Sequence, residues 1–590
     1  MKDFMKMTGA TIVGLLLFTI VLSIISIIGL AGVVASEGSS YTAPENSILR
    51  INLTGEISER DEQSPLNALI GGGSEVLALD QLLTAIEKAA KTDDVKGIYL
   101  EGGSLTGSPA MLEELRQALT EFKKSGKFIT AYGDTYSGGS YYVCSVADQL
   151  LLNPSGIIDW HGLASQPIFY TEAMAKLGVK MQVFKVGTFK SAVEPFINTE
   201  MSEANREQTN SYLSSIWNAW LKDVAASRKV SVEHLNQMAD TLTAFMQPTL
   251  LVKEKMADKL CYRDEVKDIL KKKLGLEEDD HIDFVPYKSM SHAVMDIEKH
   301  SDRIAVYYAY GDIVDEMPSS LQGAEPSIVT DPVITDLNKL MKDDDVKAVV
   351  IRVNSGGGSA FASEQIWHQV QLLKAKKPVV ISMGGLAASG GYYISCGANK
   401  IFAEPTTLTG SIGIFGMFPD ASELLTDKVG LHFDVVKTNK YADFGSYGRA
   451  INDEEGQKLQ VHINNGYDLF TRRVAEGRGI SQDSVKVIGE GRVWTGEQAK
   501  KIGLVDELGN LQDAIKAAAK LAKTNEYNIA TYPETKGMFD GILGGDDTYD
   551  FMNAKIKLLL GDYYGAYHTI QQLGVWNPIQ ARLPYEIVIK

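Results

Sequence analysis

Two side chains in this sequence have the type and setting of a nucleophile and a base. Ser389 stands in Ala387-Ala388-Ser389-Gly390-Gly391-Tyr392, just after the apolar run 379–383. A serine at a strand-to-helix junction carries its hydroxyl to the carboxyl edge of a sheet, where neighbouring backbone N–H groups face whatever binds. The same residue also reads as a helix N-cap, with its glycines allowing close packing. Ala387 departs from the Gly-x-Ser-x-Gly nucleophile elbow, so the motif leaves both readings open. Lys190 lies in Val186-Gly187-Thr188-Phe189-Lys190-Ser191-Ala192-Val193-Glu194-Pro195-Phe196, an apolar setting for an amine. Desolvation lowers a lysine from its ordinary pKa of ~10.4 and makes it a usable base; an ordinary surface lysine is the plainer alternative.

Asn354-Ser355-Gly356-Gly357-Gly358-Ser359 follows a second apolar run, 348–353. Three consecutive glycines let backbone amides approach a ligand closely, as in an oxyanion hole or anion cradle, and they equally make a tight strand-to-helix turn. The loop lacks Gly-x-x-x-x-Gly-Lys-Ser/Thr, which argues against a nucleotide site. His161 is the candidate base for a Ser-His-Asp set, but no acid is marked as its partner by spacing. Cys144, Cys261 and Cys396 are odd in number and form no CxxC. They read as buried apolar side chains; no metal or cofactor is called for.

The elements that must position these groups come in duplicate. Asp94-Val95-Lys96 recurs as Asp345-Val346-Lys347 and Tyr141-Tyr142 as Tyr392-Tyr393, each 251 positions on. A constant offset of this kind marks an internal repeat. It sets Ser389 opposite Gly138, and an offset of 252 sets Lys190 opposite Ala442. Within each copy, short apolar runs (48–53, 97–100 and 128–131; 304–309, 348–353 and 379–382) alternate with amphipathic stretches (79–91; 332–342). That pattern predicts an α/β fold with a mostly parallel sheet covered on both faces. Two long helix-prone stretches, 202–226 and 452–476, complete the copies. The charged stretch 265–280, continuing to His300, reads as a connector. Residues beyond about Pro533 have no counterpart in the first copy.

A chain of 590 residues with 44% hydrophobic and 23% charged residues is an ordinary multidomain globular protein. A net charge of −17 without a dense basic stretch argues against nucleic acid as a partner. Residues from about Ala10 to Val34 are apolar and uncharged. They are long enough to cross a bilayer core of roughly 30 Å. Lys2 and Lys6 precede this run and Glu37 follows it, so the expected topology is a single-pass anchor with a cytoplasmic N-terminus and the rest outside the cytoplasm. A cleavable signal peptide is the competing reading, with 33–35 offering small residues.

The four segments 186–196, Arg352–Ser359, Ala387–Tyr392 and Leu408-Thr409-Gly410-Ser411-Ile412-Gly413-Ile414-Phe415-Gly416 together resemble the serine-lysine signal peptide peptidases of the protease IV type, in their long, duplicated, membrane-anchored form. The resemblance implies two tandem Clp-protease/crotonase-like domains, 46–300 supplying the lysine and 301–533 the serine. Before them stand a cytoplasmic N-terminus 1–9 and a transmembrane helix 10–35; a C-terminal extension 534–590 follows. It further implies peptide hydrolysis with Ser389 as nucleophile and Lys190 as general base. Ser411 would orient the lysine, and Gly357 or Gly358 with Gly390 would form the oxyanion hole. The family loop is usually Asn-Ser-Pro-Gly-Gly-Ser; here Gly356 replaces the proline, which loosens it. Implied partners are cleaved signal peptides and other apolar peptides, the cytoplasmic (inner) membrane, and further copies of the chain in a tetramer. The alternatives are a non-catalytic membrane scaffold and a crotonase-like acyl-thioester enzyme.

Overall fold

The computed structural model describes residues 41–61, 76–295, 300–316, 326–534 and 579–583. The expected N-terminus 1–9 and anchor 10–35 lie outside the described residues, as does the extension 534–590 apart from Glu534 and 579–583. Among the described residues no helix is long and apolar enough to cross a membrane.

The repeat is a repeat of structure. Helix Leu79–Lys91 returns as Thr330–Lys342, each of 13 residues, and helix Glu203–Arg228 returns as Asp453–Arg478, each of 26. In the first half, strand Ser47–Ser58 pairs in parallel with Val95–Thr106, which pairs with Phe128–Tyr136, and that with Gln149–Ile158. The second half repeats the order with Arg303–Tyr310, Val346–Ser355 and Val379–Ala388, the last flanked by Lys400–Ala403 and Leu408–Gly410. These central strands are buried on both faces, hence their nearly unbroken apolar sequences.

One expectation fails. The stretch 265–280 is no connector: it opens as helix Arg263–Leu274, and strand Phe284–Pro286 then joins the first sheet beside Ser47–Ser58. Only Val266 and Leu270 of that helix are buried, so its sequence shows mainly the charges it turns to solvent.

A third, smaller sheet joins the halves. Its order runs Ser327–Val329, Asp312–Val314, Gly357–Ser359, Ile579–Arg582, Phe415–Asp420, Lys180–Lys185. The last pairing crosses the repeat boundary: Lys180–Lys185 of the first half lies antiparallel to Phe415–Asp420 of the second, with Lys185 opposite Phe415. Beneath it Val193, Phe196, Phe415 and Met417 form a small apolar core of their own.

A buried ion cluster also bridges the halves. Arg352 Nε is 3.0 Å from Glu59 Oε2, its Nη2 is 2.6 Å from Glu114 Oε2, and Nη1 donates to Ser382 Oγ at 3.1 Å. All three charged side chains are sealed from solvent. Beside them the Thr406 amide and hydroxyl donate to Glu113 Oε2, and Gln117 Nε2 donates to Glu404 Oε2.

Candidate active site

Strand Val379–Ala388 ends immediately before Ser389, and the six-residue helix Gly390–Ser395 begins immediately after it. To turn from one to the other, Ser389 adopts φ 55° and ψ −113°. A non-glycine residue rarely accepts this conformation, and its occurrence at a strand-to-helix corner is the strained turn of a nucleophile elbow, reached without the Gly-x-Ser-x-Gly pattern. The N-cap reading does not hold, because the Ser389 side chain makes no capping bond. In the first half Ser137 does cap its helix, accepting from the Ser140 amide, with φ −66°. Of these two helix starts only the one at Ser389 has a positive φ, and there the hydroxyl faces another partner.

The partner of that hydroxyl is Lys190. Its Nζ lies 2.7 Å from Ser389 Oγ and 3.1 Å from both the carbonyl oxygen and Oγ of Ser411. Lysine and both serines are fully buried. Backbone register accounts for the meeting. Leu408–Gly410 runs parallel to Leu386–Ala388, and the Ser389 amide donates to the Gly410 carbonyl at 2.8 Å, so Ser411 comes next to Ser389. On the other side the chain leaves Lys185 and continues past Ile414, whose carbonyl accepts from the Val186 amide at 3.1 Å. Gln208 fixes the approach by donating to the Phe189 carbonyl at 3.0 Å and to Ser191 Oγ at 2.8 Å.

Burial pushes the Lys190 amine well below its ordinary value. The three partners fit a neutral amine, which has two N–H donors and one lone pair: the donors go to the two oxygens of Ser411, and the lone pair faces the Ser389 hydroxyl. A pair so arranged can move a proton from oxygen to nitrogen while the oxygen adds to a carbonyl.

The glycine loop flanks the serine. Gly357 has φ 104°, and a Cβ built on it would lie 2.7 Å from the Gly390 amide nitrogen. The two residues therefore face one space beside Ser389, open to backbone only because neither carries a side chain. At Gly358 (φ 157°) a Cβ would collide with the Ile313 carbonyl 2.1 Å away, so this glycine answers to packing against strand Asp312–Val314. Gly356 has room for a side chain, its nearest neighbour being Leu583 at 3.5 Å.

The first half has lost each part. At the 251-residue offset Thr106, Gly138 and Trp160 stand where Gly357, Ser389 and Ser411 stand. Trp160 is buried edge-on against Tyr141. Ala442, opposite Lys190, is exposed. His161 does have an acid partner, Asp159 at 2.6 Å, but the pair is close to half exposed, and the amine at Ser389 comes from Lys190. The three cysteines are free and buried. Sequence reasoning missed Glu59, Glu114, Gln208 and strand Ile579–Arg582, none of which carries a local motif.

Comparison with known proteins covers the same residues. The profile of Peptidase family S49 matches residues 121–277, which contain Lys190, and again 371–525, which contain Ser389 and Ser411. The Clp protease profile matches 300–408. The chain is 35% identical over 567 residues to "Protease 4" of Salmonella typhi, covering 92% of this chain and 88% of that one. It is 34% identical over 522 residues to "Protease 4" of Haemophilus influenzae, covering 83% and 82%. With "Serine protease SPPA, chloroplastic" of Arabidopsis thaliana it shares 32% over 485 residues, covering 81% and 69%.

Proposed function

We propose a division of labour for this chain, which belongs to peptidase family S49 and is a serine peptidase of the protease 4 kind: Ser389 is its nucleophile and Lys190 its general base. The observation that carries the assignment is the 2.7 Å approach of a fully buried, desolvated amine to a strained serine hydroxyl. As Ser389 Oγ adds to the peptide carbonyl, its proton passes to Lys190 Nζ, and the Gly390 amide takes up the developing oxyanion, the Gly357 amide being engaged with Ser355 Oγ at 3.1 Å. The ammonium then protonates the departing amine. Lys190, neutral again, activates the water that releases the acyl group from Ser389. Ser411 positions the amine throughout.

The substrates are apolar peptides, among them signal peptides left in the membrane after preprotein processing. The apolar run 10–34 anchors the chain by one helix in the cytoplasmic membrane, with the peptidase outside the cytoplasm. Copies of the chain assemble with one another. Support for assembly comes from residues 432–437, where Phe433, Val435 and Val436 are exposed although the corresponding stretch of the first half, at the 252-residue offset, is the paired strand Lys180–Lys185.

The test is turnover of a fluorogenic apolar peptide by the full chain in detergent, comparing wild type, Ser389→Ala and Lys190→Ala. Wild-type-like turnover by either variant sinks the dyad. Membrane fractions washed with alkaline carbonate test the anchor, since release of the chain into the wash speaks against it.

A further inference from the structure

Residues 490–493 are threaded between the segments that carry Lys190 and Ser411. The Phe189 amide donates to the Glu490 carbonyl at 2.9 Å, and the Gly491 amide donates to the Ile412 carbonyl at 2.8 Å. The Ser411 amide donates to the Arg492 carbonyl at 2.7 Å, and the Val493 amide to Gln208 Oε1 at 3.1 Å. The stretch thus ties the lysine side of the site to the serine side. Glu490 at φ 51° and Ser411 at φ 48° hold conformations that a non-glycine residue keeps only where its surroundings over-determine them.

The Arg492 side chain spans the same joint. Its guanidinium carbon lies 4.6 Å from the centroid of the Phe189 ring and 4.6 Å from that of Trp494. Each ring adjoins a member of the site. Phe189 precedes Lys190, and Trp494 lies against Gly410, which precedes Ser411: a Cβ built on that glycine would meet Trp494 Cδ1 at 2.8 Å. Arg492 Nη1 is 2.8 Å from Glu207 Oε1, on the same first-half helix as Gln208. A planar guanidinium can face two rings and still pair with a carboxylate at its edge; an ammonium has no such plane.

The repeat supplies an independent observation. Helix Pro248–Lys253 returns as Gly496–Lys501, and the positive φ of Leu242 returns at Glu490, both 248 positions on. That offset sets Ala244 opposite Arg492. The half without a nucleophile has no cation at this place.

We propose that Arg492 is a positioning residue for peptide hydrolysis: by holding Phe189 against Trp494 and the first-half helix, it keeps Lys190 in line with Ser389 and closes the amine off from water. The proposal rests on the Ser389–Lys190 reading above. Arg492 acts through Phe189 and not on the reacting atoms. The other titratable groups packed around this joint are Glu207, Glu490, Tyr467 and Lys185. Glu490 Oε2 accepts from the Thr188 amide at 3.3 Å, the Tyr467 hydroxyl accepts from the Glu490 amide at 3.3 Å, and Lys185 Nζ lies 3.5 Å from the Lys190 carbonyl oxygen. Burial rather than any of these charges depresses the Lys190 amine, so admitting water returns it toward its ordinary value.

The test is the pH dependence of kcat and KM for the fluorogenic apolar peptide, measured on the full chain in detergent. Wild type is compared with Arg492→Ala, Arg492→Lys, Phe189→Leu and the double variant of Arg492→Ala with Phe189→Leu. Arg492→Ala is expected to lower kcat roughly 100-fold, as for a misplacement of about 1 Å, with KM little changed. Its rising limb should move to higher pH by about one unit or more. Arg492→Lys, which keeps the charge without the plane, should behave like Arg492→Ala. Phe189→Leu keeps an apolar side chain and loses the ring; it should shift the limb in the same direction, and it carries the test alone if Arg492→Ala does not fold. The double variant should be no slower than Arg492→Ala. A limb that stays in place in the single variants overturns the role of Arg492 whatever happens to kcat, as do losses that multiply in the double variant; the dyad then stands. A wild type that turns over the peptide without a rising limb counts against Lys190 as the base, and with it against Arg492.

Discussion

Gly491 is in contact with the backbone of Lys190. A Cβ placed on the glycine, whose φ is 78°, would lie 2.6 Å from Lys190 Cβ and 2.7 Å from its Cα and amide nitrogen. Gly413 presses from the side, where a Cβ would come 3.1 Å from Lys190 Cδ. The amine is therefore set against Ser389 by the absence of side chains around its stem. Gly491→Ala must displace that stem, and a misplacement of about 1 Å costs roughly 100-fold in rate. Steady-state kinetics should show kcat falling by about that factor with KM little changed, because the glycine loop proposed to receive the peptide is untouched. An unaltered kcat would mean that Gly491 does not hold the amine in place.

Burying Lys190 makes it a base at the expense of folding stability. Its native pKa is depressed, so between that value and the ordinary ~10.4 the unfolded chain binds a proton that the folded chain has released. In that window stability rises with pH, and below it the full cost remains. Lys190→Met removes the cost while keeping an unbranched stem. It should abolish turnover yet raise the melting temperature at pH 7, with the advantage shrinking as pH approaches 10. A melting temperature that falls equally at both pH values would show that the bonds to Ser389 and Ser411 outweigh the desolvation. For wild type the depressed amine predicts turnover that climbs with pH and levels off once the amine is neutral.

The joint between the halves has the opposite sign. Glu113 is pushed up to about 7 and Glu404 well above the ordinary carboxylate range, both by burial and then, for Glu404, by the neighbouring Glu113 and Glu114. For such acids the folded state binds the extra protons. Their contribution is fully present below the unfolded value of ~4.3 and is lost as pH rises through about 7. Calorimetry should show a melting temperature that declines from pH 5 to 8. Glu404→Gln, which keeps the shape and removes the charge, should flatten the decline and stabilise at pH 8 by about 1 kcal/mol or more. Arg352→Leu should do the reverse, costing about 3–5 kcal/mol by leaving Glu59 and Glu114 buried without their cation.

What could be read in advance follows from the range of the signal. Helix Leu79–Lys91 matches its expected span because five buried residues recur at helical spacing within it. Lys190 and Ser389 were within reach because motif and repeat offset both fall on them. Strand Val379–Ala388 runs six residues past its apolar opening because Gly384 and Gly385 lie inside it, where a Cβ would meet Glu59 and Ser108 of the other half. Glu59 and Arg352 are 293 positions apart, and no local spacing announces them. Strand Gly357–Ser359 has three residues and Ile579–Arg582 four, too few to display a period. The small sheet that assembles the site was therefore invisible as a sheet.

Lys190 and Ser389 meet within one chain, so assembly and chemistry should separate. The stretch 432–437 leaves Val436 99% exposed, at the place where the first half supplies a strand to Phe415–Asp420. At the 251-residue offset, 164–169 of the first half corresponds to Phe415–Asp420 and is the stretch that a neighbouring copy's 432–437 would meet. Such head-to-tail contact generates a ring when the rotation closes. Val436→Asp sets a charge in that contact and should shift the mass measured by light scattering toward a single chain. Turnover of a short peptide per chain should persist, because no part of the dyad crosses between copies. Mixing Lys190→Ala with Ser389→Ala should accordingly restore no activity; recovery toward a quarter or half of wild type would show that the amine of one copy serves the serine of another.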